Sequence, residues 1–293
     1  MSNGFQAGKI NIDLLMGAHM NRHVVAAATA QVDATRAVAA RSAADPSELT
    51  TSVLTFNIHH AQGTDGVLDL ERIARVIRSS GADIVGLQEV DRHFAERSNW
   101  ADQATKLAEV LGYHLAYGAN IDLDPPATGN PRIQYGTAIL SRHPITRWDN
   151  THLFRSPDEE QRGLLHAEVD MYGTPVHVYN THLELFSESD RLQQAKEVAE
   201  LIGDMCPAVL LGDFNASPQT PEIETIRARF TDAWTALGGM EVATFPADAP
   251  NECIDYIFTN RWVTPKRTSI VTDDLAASDH VPVFARLAVG SPP

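Results

Sequence analysis

"AVLLGDFN", residues 208–215, sets four apolar residues before a glycine, and then an aspartate and an asparagine with one residue between them. The apolar run reads as a buried strand. Residues two apart on an extended chain point to the same side, so Asp213 and Asn215 are expected to face one spot while Phe214 turns into the core. Taken alone, Gly, Asp and Asn also spell a turn. The rest of the chain decides between the two, because apolar strands ending in polar residues recur along it.

Outward from that segment, strands and helices alternate. "SVLTFNI" (52–58), "DIVGLQEV" (83–90), "HLAYGANI" (114–121) and "YGTAILSR" (135–142) read as strands in the first half. Asp69 is a cap for a helix with Leu70, Ile73, Ala74 and Ile77 in phase, stopped at Gly81. Asn99 is expected to open a second helix, with Trp100, Ala104, Leu107, Ala108 and Leu111 on one face. In the second half, "LLHAEVDM" (164–171) and "PVHVYNTHL" (175–183) form a hairpin turned at Tyr172-Gly173-Thr174. Ser187 caps a helix, Thr220-Pro221 starts a short one, and "CIDYIFTN" (253–260), "TSIVT" (268–272) and "VPVFARLAV" (281–289) are late strands. The whole stretch reads as one α/β domain.

The polar residues that interrupt these strands are of few kinds. Asn57 and Glu89 end the first two, Asn180 and His182 the hairpin's return strand, and Asp213 and Asn215 the segment quoted above. Asp255 sits in "CIDYIF", and Asp279 and His280 precede "VPVF". In α/β sheets ligands gather at the carboxyl ends of strands. Clustered carboxylates repel one another unless a cation or a shared proton compensates. Mg²⁺ takes oxygen ligands and is often held by one or two carboxylates. Histidines beside such an ion transfer protons or stabilise an oxyanion. That combination suits hydrolysis of a phosphate ester by water, since no Ser or Cys stands in an activated triad.

Seven stretches, "TFNI" (55–58), "LQEV" (87–90), "YGTAILSR" (135–142), "NTHL" (180–183), "GDFN" (212–215), "IDYIF" (254–258) and "SDH" (278–280), occur in the order found in the endonuclease/exonuclease/phosphatase superfamily. Residues 52–289 resemble that superfamily over nearly their whole length. The resemblance implies a four-layer α/β sandwich, two packed mixed β-sheets flanked by helices. It implies Glu89 as the principal Mg²⁺ ligand (Mn²⁺ serving as a substitute), with Asn57 beside it and Asp279 completing the metal side. Asp213 would orient and deprotonate the attacking water, and Asn215 would hold a phosphate oxygen or the nucleophile. His182 and His280 would contact the phosphoryl oxygens, one of them serving the leaving group, and Asp255 would orient His280. Tyr135 matches an active-site tyrosine of some family nucleases. Asn180, Arg92, Arg162 and His60 are candidates for contact with substrate, the arginines because guanidinium is bidentate to phosphate.

Charge bears on the substrate. The chain is 293 residues long with a net charge of −15. Residues 1–51 balance Lys9, Arg22, Arg36 and Arg41 against Asp13, Asp33, Asp45 and Glu48, so the excess lies in residues 52–293. Nucleic-acid binders usually carry a basic stripe, and this domain has no basic run. A small-molecule or lipid-headgroup phosphate ester is therefore expected as substrate, with DNA or RNA as the alternative and a non-catalytic binding protein as a remote third. No apolar run reaches the roughly 18–20 residues of a membrane span. Residues 1–51 read as an alanine-rich extension, possessing at most a poor leader; "GAHM" (17–20) resembles a cloning scar, and 290–293 form a short tail. Two cysteines, Cys206 and Cys253, make no disulfide framework, and a reducing, cytoplasmic setting is the expectation.

Overall fold

The chain is described by a computed structural model for residues 48–125 and 127–290. Most of the expected N-terminal extension and residues 291–293 of the tail lie outside the described residues. Among the described residues, twelve strands form two six-stranded sheets. The first has the order β11 (Val263–Ile270), β12 (Val283–Val289), β1 (Leu49–Asn57), β2 (Ile84–Arg92), β4 (Ile133–Ser141), β3 (His114–Leu123). The second has β5 (Ile145–His152), β6 (Gly163–Met171), β7 (Thr174–His182), β8 (Ala208–Asp213), β10 (Asp255–Thr259), β9 (Thr231–Asp232). Both are mixed, and each carries one parallel pair at its centre: β1 with β2, and β7 with β8.

Alternation along the strands builds the layers. Val53, Ile84 and Ile139 of the first sheet meet Leu165, Val178, Val209 and Leu211 of the second in a core between the sheets. The opposite face of the first sheet, with Leu54, Phe56, Val85 and Leu140, is covered by α1 (Leu70–Ser80) and α2 (Gln103–Leu111) through Ile73, Ile77 and Leu107. On the far side Leu210, Phe214 and Phe258 pack under α3 (Glu188–Leu201) and α4 (Pro221–Arg227) through Val198, Ile223 and Ile226. This is the four-layer sandwich, helices outside and two sheets within.

Local chemistry accounts for the element ends. Asp69 accepts from the Arg72 N–H at the start of α1, and Gly81 closes it at φ 68°. Ser187 caps α3 through the Asp190 N–H. Tyr172 and Gly173, both at positive φ, turn the β6–β7 hairpin. The second helix differs from expectation. Its cap is Asp102, whose side chain accepts from the Thr105 N–H, while Asn99 lies at φ 51° closing a separate turn. Trp100 is then 51% exposed rather than on the helix's buried face. The charged strand β5, with no apolar alternation to announce it, and the two-residue β9 were not anticipated.

The sheets are also fastened by a polar tie. Asn180 is fully buried; its amide donates to Leu87 O and Ala138 O of the first sheet, and its oxygen accepts from Gln88 Nε2. Gly86 makes the approach feasible, because a Cβ there would lie 3.0 Å from Asn180 Oδ1. Asn180 therefore joins the sheets and, contrary to expectation, is fully buried with both amide hydrogens given to the first sheet rather than to substrate.

Candidate active site

The two central parallel pairs end at the same edge of the sandwich, and their inward-facing side chains meet there. In the second sheet, register sets the row: His182 lies beside Asp213 across the parallel pair, and Asp255 lies beside Asp213 across the antiparallel one. In the first sheet Asn57 arrives on the inner face with Val53 and Thr55. Glu89 gets there by a different route. The β2–β4 register slips between Leu87 and Val90, and Glu89 sits at φ 57°. A bulge of this kind inserts residues that the partner strand does not match. Gln88 and Glu89 consequently both turn inward, whereas strict alternation would send one of them to the helices.

The bonds converge on one carboxylate. Asn57 Nδ2 donates to Glu89 Oε1 at 3.1 Å and to Asp213 Oδ2 at 3.0 Å. His182 Nε2 and His280 Nε2 each lie 3.6 Å from Asp213 Oδ2. The other oxygen of Asp213 accepts from the backbone N–H of Asn215 at 2.9 Å. His280 Nδ1–H donates to Asp255 Oδ2 at 2.9 Å, and Phe245 packs against the ring. Asp279 is anchored from behind by its neighbour Ser278, whose hydroxyl donates to Asn57 O.

Burial divides these groups. Asp213, Asp255, His182 and His280 are nearly inaccessible, while Glu89 is half-buried. Burial, then the charge of Asp255, raises the Asp213 carboxyl to about 7. Burial opposes a proton on His280, but Asp255 and then Asp213 outweigh it and raise the ring to about 10. His182 shares Asp213 with it but has no counterpart of Asp255; burial, then Arg162 and His280, hold it well below the usual histidine range. The result is a charged His280 and a neutral His182 on either side of Asp213.

Asn215 reaches this place by other means than strand alternation. The strand stops at Asp213, Asn215 adopts φ 47°, and its amide donates to Leu183 O at 2.9 Å. Phe214 is fully buried in the helix-side core. Tyr135 is buried at the edge of the cleft against Phe94, and burial with the Glu89 charge keeps its hydroxyl protonated. Arg162 is buried between Glu160 at 2.9 Å and Glu184 at 3.3 Å, close enough to His182 to depress it. Arg92 is turned away. Beyond the bulge, alternation sends it with Val90 to the helix layer, where it pairs with Asp102 at 2.9 Å over the Tyr117 ring. The cation on the site side is Arg97, held by Asp91 at 3.0 and 2.8 Å beside the Phe94 and Tyr135 rings. Sequence reasoning missed Arg97 because its place depends on that bulge.

The donor set suits a hard divalent cation. Glu89 and Asp279 form no ion pair with Lys or Arg among the described residues; Asp279 Oδ1 meets the Ser278 hydroxyl at 3.2 Å and His59 at 4.0 Å. Glu89 keeps one carboxylate oxygen without a partner, next to the Asn57 carboxamide. Carboxylate and amide oxygens are the ligands such cations take. Asp213, Asp255 and His280 also lie within 4.8 Å of one another; there His280 gives its Nδ1–H to Asp255 and turns Nε2 to Asp213 Oδ2.

Comparison with known proteins points one way. The model of the Endonuclease/Exonuclease/phosphatase family matches residues 54–280. The uncharacterized protein YbhP of Escherichia coli (strain K12) is 30% identical over 250 residues, covering 80% of this chain and 95% of that one. A crystal structure of an endonuclease/exonuclease/phosphatase from Beutenbergia cavernae superposes with a TM-score of 0.73 at 29% identity, over 83% of this chain and 72% of that one. A 5'-tyrosyl-DNA phosphodiesterase of Caenorhabditis elegans is 26% identical over 231 residues, 73% of this chain and 56% of its own length.

Proposed function

The chain belongs to the Endonuclease/Exonuclease/phosphatase family, and from that premise we propose that it is a Mg²⁺-dependent phosphoric ester hydrolase acting through activated water on a small-molecule or lipid-headgroup substrate. The observation that carries the reading is Asp213 Oδ2, which has Asn57 at 3.0 Å and two histidine nitrogens at 3.6 Å around it. A carboxyl raised to about 7 has the basicity to take a proton from water near neutral pH. Asn215 pins its other oxygen, so Oδ2 faces the reacting centre.

His280 is the proton carrier in this reading. Asp255 fixes its tautomer and orientation, leaving Nε2–H to donate to a phosphoryl or leaving oxygen. His182, neutral, offers a hydrogen bond without a transferable charge. Glu89 and Asp279, with Asn57, would hold the cation, whose charge offsets that of the phosphoryl oxygens. Tyr135 donates from the cleft edge with its proton in place, and Arg97 supplies the nearby positive charge.

Net charge supports the compact substrate. A domain at −15 repels a polyanion at long range, whereas one phosphate seated on a cation needs no basic stripe. The likeness to a 5'-tyrosyl-DNA phosphodiesterase favours a DNA-directed second reading. The deciding experiment is a Mg²⁺-dependent hydrolysis panel: phospholipids, inositol phosphates and nucleotides against plasmid, abasic and 5'-tyrosyl DNA at low salt. The proposal expects the highest kcat/KM on a compact substrate and none in excess EDTA. DNA rates a hundredfold above all compact substrates would replace it with the second reading, and full activity in EDTA would remove the cation.

A further inference from the structure

His59 and His60 follow Asn57 on a single turn, and the backbone there is unusual. His59, His60 and Ala61 all lie at positive φ (44°, 44° and 64°). Non-glycine residues in this region are strained and persist where the surroundings impose them. The turn brings the two rings within 4.5 Å of each other, edge to face.

Each ring has one nitrogen fixed as a donor. His59 Nδ1 lies 3.2 Å from Gln62 O, a carbonyl that only accepts. His60 Nε2 lies 3.3 Å from Gln62 Oε1, and the Gln62 amide nitrogen in turn donates to Gly66 O, which identifies the oxygen facing the ring. The lone pairs are thereby left on His59 Nε2 and His60 Nδ1. His60 is 5% exposed, and its Nδ1 is buried without any partner. Glu89 completes the corner: one ligand atom each from His59, His60 and Glu89 lie within 4.8 Å of one another. Metal-bound histidines characteristically donate their second N–H to a carbonyl or carboxylate, which sets tautomer and ring orientation. Burial, then Arg97, keeps His60 neutral, the form that coordinates. The charge of Arg97 itself is taken up by Asp91.

We propose that His59, His60 and Glu89 form a second cation site for an imidazole-ligating divalent transition metal, of the Zn²⁺ kind, beside the oxygen-lined site at Glu89 and Asp279. Imidazole nitrogen suits such ions, whereas Mg²⁺ is held by oxygen. The inference rests on the proposed function only through Glu89, which the two cations share.

The test reads metal binding directly and needs no substrate. Mn²⁺ is added to the full chain freed of metal, and pulsed EPR reports ¹⁴N coupling from bound imidazole. Zn²⁺ affinity is measured in parallel by competition with a chromophoric chelator. The expected result is nitrogen coupling that is lost in the His59→Gln/His60→Gln double variant and retained in His280→Gln. Each single variant should weaken Zn²⁺ by about 10- to 100-fold. His59→Gln, at a half-exposed ring, serves if the buried His60 variant fails to fold. Bound Mn²⁺ without nitrogen coupling, coupling that survives the double variant, or no Zn²⁺ binding overturns the proposal. Each of these outcomes leaves a Mg²⁺-dependent hydrolase intact.

Discussion

The parallel pairs β1–β2 and β7–β8 reach the cleft in opposite conditions. At the end of β7–β8, His182 and Asp213 are buried with Asp255 and His280 nearby, and the last two already share a hydrogen bond. At the end of β1–β2, Glu89 and His59 are partly open, the backbone is left-handed at four positions, and ligand atoms remain unspent. One corner shares its charges and protons among its own buried groups, with only Asp255 Oδ1 left unpartnered there. The other keeps its left-handed backbone and its unspent ligand atoms, as the proposed cation sites require. Proton transfer benefits from a closed, preorganised environment, while a cation must enter from water and exchange its hydration shell.

The sharpest way to break this contrast is Asp213→Asn. The variant removes the base and also relieves repulsion from Asp255, so the fold should keep its Tm while kcat falls on the order of 10³- to 10⁴-fold. Near wild-type turnover on the best substrate would put the chemistry elsewhere. Asn180→Ala acts on both corners together. It removes the Asn180 amide from Leu87 O and Ala138 O and one of the two acceptors of Gln88 Nε2 in the core, and should cost about 3 kcal/mol in chemical denaturation. The shape of the pH–rate profile should stay the same, and a changed profile would make Asn180 part of the site after all.

Asp255→Asn sharpens the closed corner. Loss of the group orienting His280 should lower kcat by about 10- to 100-fold. It also removes a charge that raises Asp213, so the rising limb of the profile should move to lower pH. An unmoved limb would uncouple the two carboxylates. The smallest effect is on stability without metal. Native His182 stays neutral well below 6.5, while the unfolded chain gains a proton there. The unfolded state then binds more protons, so this contribution falls as pH drops below about 6.5, by up to about 1.4 kcal/mol per pH unit. His280 works the other way: its contribution is complete below about 6.5 and lost as pH rises through about 10. Asp213, raised to about 7, opposes His182 by gaining stability as pH falls, so His182→Gln should shift the slope of Tm between pH 6.5 and 5 toward greater stability on the acid side, and an unchanged slope would deny its burial in the neutral form.

The closed corner was the more legible of the two from residues alone. Asp213, Asp255 and His182 follow strand register, and register follows apolar alternation; α1 and the β6–β7 hairpin were equally plain from their caps and turn. The open corner depends on conformations that carry no pattern of period two. Nothing in "LQEV" announces that Gln88 and Glu89 both turn inward, and that one event also exchanges Arg92 for Arg97. Asn99 resembled a helix cap because Asn is a good one, but Asp102, three residues later, takes that place and accepts from Thr105. Asn180 read as a strand-end ligand because single-strand reasoning does not see the neighbouring sheet.

The placement of β1 between β12 and β2 has a consequence for synthesis on the ribosome. Asn57 is among the first residues of the domain to be made, yet the strand that covers its β1 on one side starts only at Val283. At roughly 5–20 residues per second, β1 waits on the order of tens of seconds with an open hydrogen-bonding edge. Chains cut short before Val283 keep that edge permanently, and such edges invite pairing between molecules. Premature termination late in the message should therefore yield insoluble chains even though almost all of the proposed site residues have been translated.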